Sequence, residues 1–193
     1  MTRIVAGAAR GRRLAVPPGD GTRPTSDRVR EAVFSALEHR LGGWSGLVVL
    51  DLFAGSGALG LEAASRGASR VLLLERDRTA LAVVRRNAAT VGAAGVVVRG
   101  GDAWRLPRRS DVVDLPEPAD LVLLDPPYRE ADARIDGLLA HLVDGGWLAP
   151  AALAVVERPA RGQQFDWPRG WEPVMDRRYA NTHMHVGRLV ASA

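Results

Sequence analysis

The chain has 193 residues, with 26 cationic side chains, 22 acids, no cysteine and 47% hydrophobic residues. That length suits one domain with a small appendage, and the composition is that of an ordinary globule rather than a disordered or membrane-embedded chain. Absent cysteine excludes a disulfide framework, a thiolate zinc site and a thiol nucleophile.

All the cations are arginine. Abundant Ala, Val and Gly make coding bias the simpler reading, against a choice of guanidinium for phosphate contacts. Position says more than number. Residues 1–40 carry eight Arg against Asp20, Asp27, Glu31 and Glu38, whereas residues 41–193 carry 18 Arg and 18 acids. The positive excess therefore sits in the first fifth of the chain, which points to a polyanion partner. Arg12-Arg13 is followed by only Leu14-Ala15-Val16 before Pro17-Pro18, too short for a signal-peptide apolar region. No segment approaches the ~18 apolar residues of a membrane span. A cytoplasmic, monomeric protein with no membrane partner is expected.

Arg3 to Ala6 and Arg13 to Val16 read as a β-hairpin around the turn Gly7 to Arg12, followed by a linker at residues 17–21. A helix capped by Thr25 or Ser26 runs through Val29, Val33, Leu37 and Leu41 and stops at Gly42-Gly43. Strands and helices then alternate. Strands are predicted at Leu47 to Phe53, Val71 to Leu74, Val96 to Val98, Leu121 to Leu124 and Leu153 to Val156. Helices are predicted from the glycine loop to about Arg66, from Leu81 to Val91 and from Ala131 to Leu142. Short, uninterrupted apolar strands alternating with helices indicate an α/β fold with a parallel sheet covered on both faces. Val174 to Tyr179 and His185 to Val190, flanking Asn181-Thr182, read as a closing antiparallel hairpin.

In such sheets, ligands bind at the carboxyl ends of the strands. Those ends carry Asp51 to Gly57, Glu75, Asp102 and Asp125 to Tyr128. Gly55-Ser56-Gly57-Ala58-Leu59-Gly60 matches G-x-G-x-x-G, and Glu75 lies 20 residues past Gly55, where a ribose-binding acid belongs. A nicotinamide-dependent oxidoreductase is thus one reading. Asp51 argues against it, because a carboxylate just before the loop suits a cationic ligand better than a pyrophosphate.

Asp51-Leu52-Phe53-Ala54-Gly55-Ser56-Gly57, then Glu75, Asp102 and Asp125-Pro126-Pro127-Tyr128, resembles the class I S-adenosylmethionine-dependent methyltransferases. Arg3-Ile4-Val5-Ala6-Gly7, Arg10-Gly11-Arg12-Arg13-Leu14 and Arg23-Pro24-Thr25-Ser26-Asp27-Arg28-Val29-Arg30-Glu31 resemble the RsmD family of bacterial 16S ribosomal RNA guanine-N2 methyltransferases. The resemblance runs through Gly145-Gly146-Trp147-Leu148 and thins after about residue 158. It implies a Rossmann-like, mostly parallel seven-stranded sheet over residues 25–193, preceded by a basic RNA-binding hairpin and linker over residues 1–24. It also implies a cofactor set of Asp51, Phe53, Ala54, Gly55, Gly57, Glu75, Arg76, Asp102, Ala103 and Asp125. The catalytic set is Asp125, Pro126, Pro127 and Tyr128. The RNA set is Arg3, Arg10, Arg12, Arg13, Arg23, Arg28 and Arg30, and the implied target is a guanine near the P site of an assembled or partly assembled subunit.

The catalytic element has its own rationale. An exocyclic base amine is a poor nucleophile because its lone pair is delocalised into the ring. Two fixed acceptors, the Asp125 carboxylate and the Pro126 carbonyl, can take both N–H groups and leave the lone pair facing the methyl donor. Pro127 holds the preceding residue extended, and Tyr128 offers a stacking face for a flipped base. The same element serves adenine-N6 methylation of DNA, which remains an alternative, as does a non-catalytic RNA-binding assembly factor. Cytosine-C5 chemistry is disfavoured without a thiol. Trp167 and Trp171 read as packing residues. His183 and His185 alternate on the last strand without matching acids, so no metal site is expected.

Overall fold

The computed structural model describes residues 2–18, 26–111, 117–179 and 181–190. Arg23 and the alternative cap Thr25 lie outside the described residues. The basic hairpin is β1 (Thr2–Arg3) and β2 (Arg13–Leu14), antiparallel, with Thr2 opposite Leu14 and Arg3 opposite Arg13. Helix α1 (Asp27–Leu41) starts at Ser26, whose hydroxyl accepts a hydrogen bond from the Val29 amide at 3.3 Å, and it ends at Gly42 with φ 73°.

The body then alternates β3 (Val48–Asp51), α2 (Ala58–Arg66), β4 (Arg70–Glu75), α3 (Arg78–Val91) and β5 (Val96–Gly100). After two short 3-10 turns come β6 (Ala119–Leu124), α4 (Asp132–Asp144), β7 (Leu148–Pro159), β8 (Trp171–Tyr179) and β9 (Thr182–Leu189). The seven-stranded sheet has the order β5-β4-β3-β6-β7-β9-β8. All pairs are parallel except those of β9, which runs antiparallel to both β7 and β8. Strand β7 is longer than the apolar run Leu153 to Val156 predicts. Its Leu148 pairs with Ala119 of β6, and its far end, through Pro159, pairs with β9. Main-chain pairing thus carries the strand past its apolar core.

Alternate strand residues feed two cores. One, holding Val49, Val71, Leu73, Leu121 and Met184, is covered by α1, α2 and α3. The other, holding Leu50, Leu72, Val122 and Val156, is covered by α4 with Trp147, Phe165 and Trp171. Trp167 stacks on Trp171 at 5.5 Å, which is the packing role expected of both. Among the described residues no helix is long and apolar enough to cross a membrane.

The hairpin is fastened to the body rather than trailing from it. Ile4, Ala9 and Leu14 join the first core. Glu62 of α2 is fully buried, and its two carboxylate oxygens accept the Val5 and Ala6 amides at 2.7 and 3.0 Å. The same carboxylate pairs with Arg66 at 2.9 Å and stands 3.8 Å from Arg30. Gly7 is required here, since a Cβ would lie 1.8 Å from the Ser65 carbonyl oxygen.

Arg30, one of the residues expected to contact RNA, is buried. Its side chain is 0% exposed, pairs with Asp27 at 2.9 Å and donates to the Arg3 carbonyl. A cation so placed compensates buried Glu62 and is out of reach of a phosphate. Helical period places it there: Arg30 lies three and four residues before Val33 and Phe34, on the buried face of α1. Glu62→Ala should destabilise the protein by about 3–5 kcal/mol, because it leaves buried guanidinium and amide donors uncompensated. Chemical denaturation would measure this, with exposed Glu31→Ala expected to change stability by less than about 0.5 kcal/mol.

Candidate active site

The chain order of the sheet reverses between β3 and β6, which opens a crevice outside their carboxyl ends. Asp51 ends β3, Glu75 ends β4, Asp102 follows β5 and Asp125 follows β6. The predicted cofactor and catalytic residues are thus brought to one edge by parallel pairing.

Asp51 serves two purposes. Helix α2 has no side-chain cap of its own, because Gly57 precedes it. Asp51 Oδ2 supplies one by accepting the Gly60 amide at 2.9 Å. Asp51 is 1% exposed, and its Oδ1 is buried with no hydrogen-bond partner. Burial, with a smaller contribution from the Glu75 charge, pushes its pKa up to about 7. A buried acceptor left open in this way fits a ligand ammonium group.

The glycines are dictated by close approach. Gly57 has φ 79°, and a Cβ there would lie 2.6 Å from Val84 Cγ2. A Cβ on Gly60 would lie 2.3 Å from Leu73 Cδ2. Glu75 closes the loop from the far side. Its Oε2 accepts the Gly55 amide at 2.8 Å and its Oε1 accepts the Asp77 amide at 2.7 Å. Each oxygen keeps a second lone pair for a ribose hydroxyl. Asp102 Oδ1 accepts the Trp104 amide at 3.1 Å, so Asp102 caps its own turn as well as facing the crevice edge. Ala103 is buried beside it, Ala54 is buried in the loop, and Phe53 packs on Trp104 at 5.1 Å. Arg76 is exposed.

The profile of the family described as Conserved hypothetical protein 95 matches residues 2–188. Ribosomal RNA small subunit methyltransferase D of Escherichia coli K12 is 38% identical over 174 residues, covering 88% of this chain and 80% of that protein. The Haemophilus influenzae protein of the same name is 36% identical and covers 88% and 84%. The chain belongs to this methyltransferase family. Among solved structures, a candidate methyltransferase of Escherichia coli, yhhF, superposes with a TM-score of 0.80 at 32% identity over 99% of both chains. An RNA methyltransferase of Salinibacter ruber, solved with S-adenosyl-L-homocysteine, shares the fold with a TM-score of 0.63 at 19% identity, over 89% of this chain and 96% of its own. The family's methyl donor is S-adenosylmethionine. The open Asp51 oxygen and the second lone pairs of Glu75 are the features into which it fits.

Beside this family cofactor site stands the Asp125-Pro126-Pro127-Tyr128 element. Burial raises the Asp125 pKa well above the usual carboxylate range, with Glu157 and then Asp51 adding to it. Tyr128 is 46% exposed, one of only two large hydrophobic side chains so open among the described residues. Two neighbours were missed in the sequence. Glu157 is 1% exposed, accepts the Thr182 hydroxyl at 3.1 Å and follows Val156, which pairs with Leu124. Its signal was the pattern already used for the other strands, an acid directly after an apolar run. Arg158 donates to the Glu130 carbonyl at 2.7 Å and pairs with Asp132 at 2.9 Å, which pins the segment after Tyr128. A third residue missed is buried Asn87. It donates to the Ser56 carbonyl at 2.7 Å and exchanges hydrogen bonds of 2.9 Å with both main-chain groups of Ala15, tying the end of the basic segment to the glycine loop.

Arg3, Arg10, Arg12, Arg13 and Arg28 are exposed. Arg3 is paired with Asp27 at 3.1 Å, and Arg12 donates to the Thr90 carbonyl at the end of α3.

A pH dependence follows from Asp51. In the free protein the carboxyl is largely protonated below its pKa of about 7. Pairing with an ammonium favours the ionised form, so binding releases a proton and tightens as pH rises. S-adenosylhomocysteine affinity should increase about tenfold from pH 6 to pH 8, and Asp51→Asn should both weaken binding and flatten that rise. Isothermal titration calorimetry in buffers of different ionisation enthalpy measures both.

Proposed function

We propose that this protein transfers a methyl group from S-adenosylmethionine to the exocyclic N2 of a guanine in small-subunit ribosomal RNA. The observation that carries the reading is the position of Asp125-Pro126-Pro127-Tyr128 beside the acidic cofactor crevice, with an exposed aromatic ring at its open end. The family relatives named as small-subunit ribosomal RNA methyltransferases supply the substrate class. The exposed hairpin arginines support a nucleic-acid partner. By the same family relation we place the target near the P site of an assembled or partly assembled subunit, and the enzyme in the cytoplasm as a monomer.

In this reading Asp51 Oδ1 receives the ammonium of the methyl donor and Glu75 receives its ribose hydroxyls. Asp102 accepts from the adenine amino group. S-adenosylmethionine, when bound, supplies a methyl group activated by its sulfonium. The protein supplies position and charge. Asp125 and the Pro126 carbonyl accept the two N–H groups of the guanine amine, and Tyr128 stacks on the extruded base, worth roughly 1–3 kcal/mol. Arg158 keeps the following segment in place. The raised Asp125 pKa favours a carboxyl group that becomes an acceptor as positive charge builds beside it. The proton leaves the methylated nitrogen late, so a dedicated general base is not required.

Asp51 also weighs against the nicotinamide reading. Its Oδ2 already takes the Gly60 amide, one of the first-turn donors a pyrophosphate would use, and its other oxygen would repel a phosphate.

Purified enzyme with radiolabelled methyl donor should label isolated small subunits, and digestion should yield N2-methylguanosine. N6-methyladenine in DNA as the product would instead establish the alternative. Asp125→Ala should lower turnover by at least about a hundredfold while S-adenosylhomocysteine binding persists. Neutralising Arg10, Arg13 and Arg28 together should weaken subunit binding and reduce its salt slope by about two to three units, with cofactor affinity nearly unchanged. Filter binding across a salt series reads this, and equal loss of both affinities would contradict the division of labour.

A further inference from the structure

The closing hairpin β8–β9 holds a cluster that the methyl-transfer reading leaves unused. His183 and His185 are two residues apart on β9 and project from one face, while Met184 between them enters the opposite core. Asp176 of β8 is in register with His185. Antiparallel pairing thus supplies the acid that the local sequence lacks. Asp176 Oδ2 lies 3.0 Å from His185 Nδ1, and Asp176 Oδ1 is hydrogen-bonded to His183 Nε2. One ligand atom from each residue lies within 4.8 Å of the other two.

We propose that Asp176, His183 and His185 form a binding site for a divalent transition-metal ion of the zinc class. Two imidazole nitrogens and a carboxylate oxygen suit zinc, cobalt or nickel, and suit poorly magnesium or calcium, which take all-oxygen shells. An ion about 2.0–2.2 Å from each donor needs ligand atoms about 3–3.5 Å apart, so only small side-chain shifts close the set.

Three features prepare the cluster. Both imidazoles are 1% exposed, so little side-chain freedom is left to lose. His185 packs 6.0 Å from the Phe165 ring, and the two imidazole centroids are 3.8 Å apart. The nitrogens remote from Asp176, His183 Nδ1 and His185 Nε2, are buried without hydrogen-bond partners. Asp176 thus draws the proton of each ring to the nitrogen that faces it, and an ion would replace those two bonds and leave the ring proton on the remote nitrogen. Asp176 itself is 37% exposed, which leaves an entry path and room for water as a further ligand.

The charged neighbours are compatible. Arg158 is in register with His183 across β7, but its charge is paired with Asp132 at 2.9 Å. Arg178 is exposed and donates to the Ala160 carbonyl at 3.0 Å. The ion would clamp β8 to β9 at the sheet edge, next to the strand that carries Glu157 and Arg158.

Cobalt(II) titration of the untagged full chain tests the site through the visible d–d absorption of the bound ion. One saturable equivalent with a low-coordinate cobalt spectrum is expected, displaced by zinc, together with a zinc-dependent rise in melting temperature. Asp176→Asn, which alters an exposed side chain and should preserve the fold, is expected to weaken cobalt binding at least tenfold. His183→Asn with His185→Asn should abolish both the spectrum and the thermal shift, with S-adenosylhomocysteine binding retained as the measure of folding. Absence of saturable binding in the wild-type chain would overturn the proposal. So would an undiminished spectrum and thermal shift in Asp176→Asn and in the double variant.

Discussion

The site depends on carboxylates gathered where water is scarce. Parallel strands all bring their carboxyl ends to one edge, and Asp51, Glu75, Asp125 and Glu157 stand at or near those ends. Ionised acids so close together in a partly buried crevice repel one another, and burial further disfavours their charge. The raised pKa of Asp51 and of Asp125 is the signature of that cost. Such an edge is destabilising when empty of positive charge and welcoming to a ligand that brings some. A donor carrying an ammonium and a sulfonium matches that demand, whereas a dinucleotide pyrophosphate adds to the repulsion.

A second constraint ties the basic hairpin to this edge. Helix α2 meets Asp51 at its amino end, and its Glu62 and Ser65 hold the main chain of the basic hairpin. Asn87 adds another link, from Ala15 to Ser56 in the glycine loop. The hairpin arginines are thereby held at a fixed place relative to the cofactor crevice. A flexible tail with the same charge would attract RNA without orienting it. Buried Arg30 belongs to this architecture: one of the eight early arginines serves the fold by neutralising Glu62.

Much of the site was legible because its signals are local. An acid after an apolar run marks a strand end, closely spaced glycines mark a tight turn into a helix, and Pro126-Pro127 fixes an open carbonyl. Glu157 obeys the same local rule, an acid directly after the apolar run Leu153 to Val156. Charge alone does not say which face of a helix Arg30 occupies. The helical stripe through Val33 and Leu37 placed it near the buried side, yet burial of an arginine needs a partner such as Glu62, 32 residues further along the chain.

The sequence by itself determined the alternation of elements, the carboxyl-edge chemistry and the sign and position of the excess charge. These follow from residue type and from periods of two and 3.6, which are short-range properties. Tertiary structure alone decided which charges meet. It paired Arg30 with Glu62, set Glu157 beside Asp125, turned Asp51 into both a helix cap and an open acceptor, and brought Asp176 across a hairpin to His183 and His185. The physical reason is that desolvation and pairing depend on distance in space. Strand register and helix docking set that distance, and neither is written in the spacing of residues along the chain.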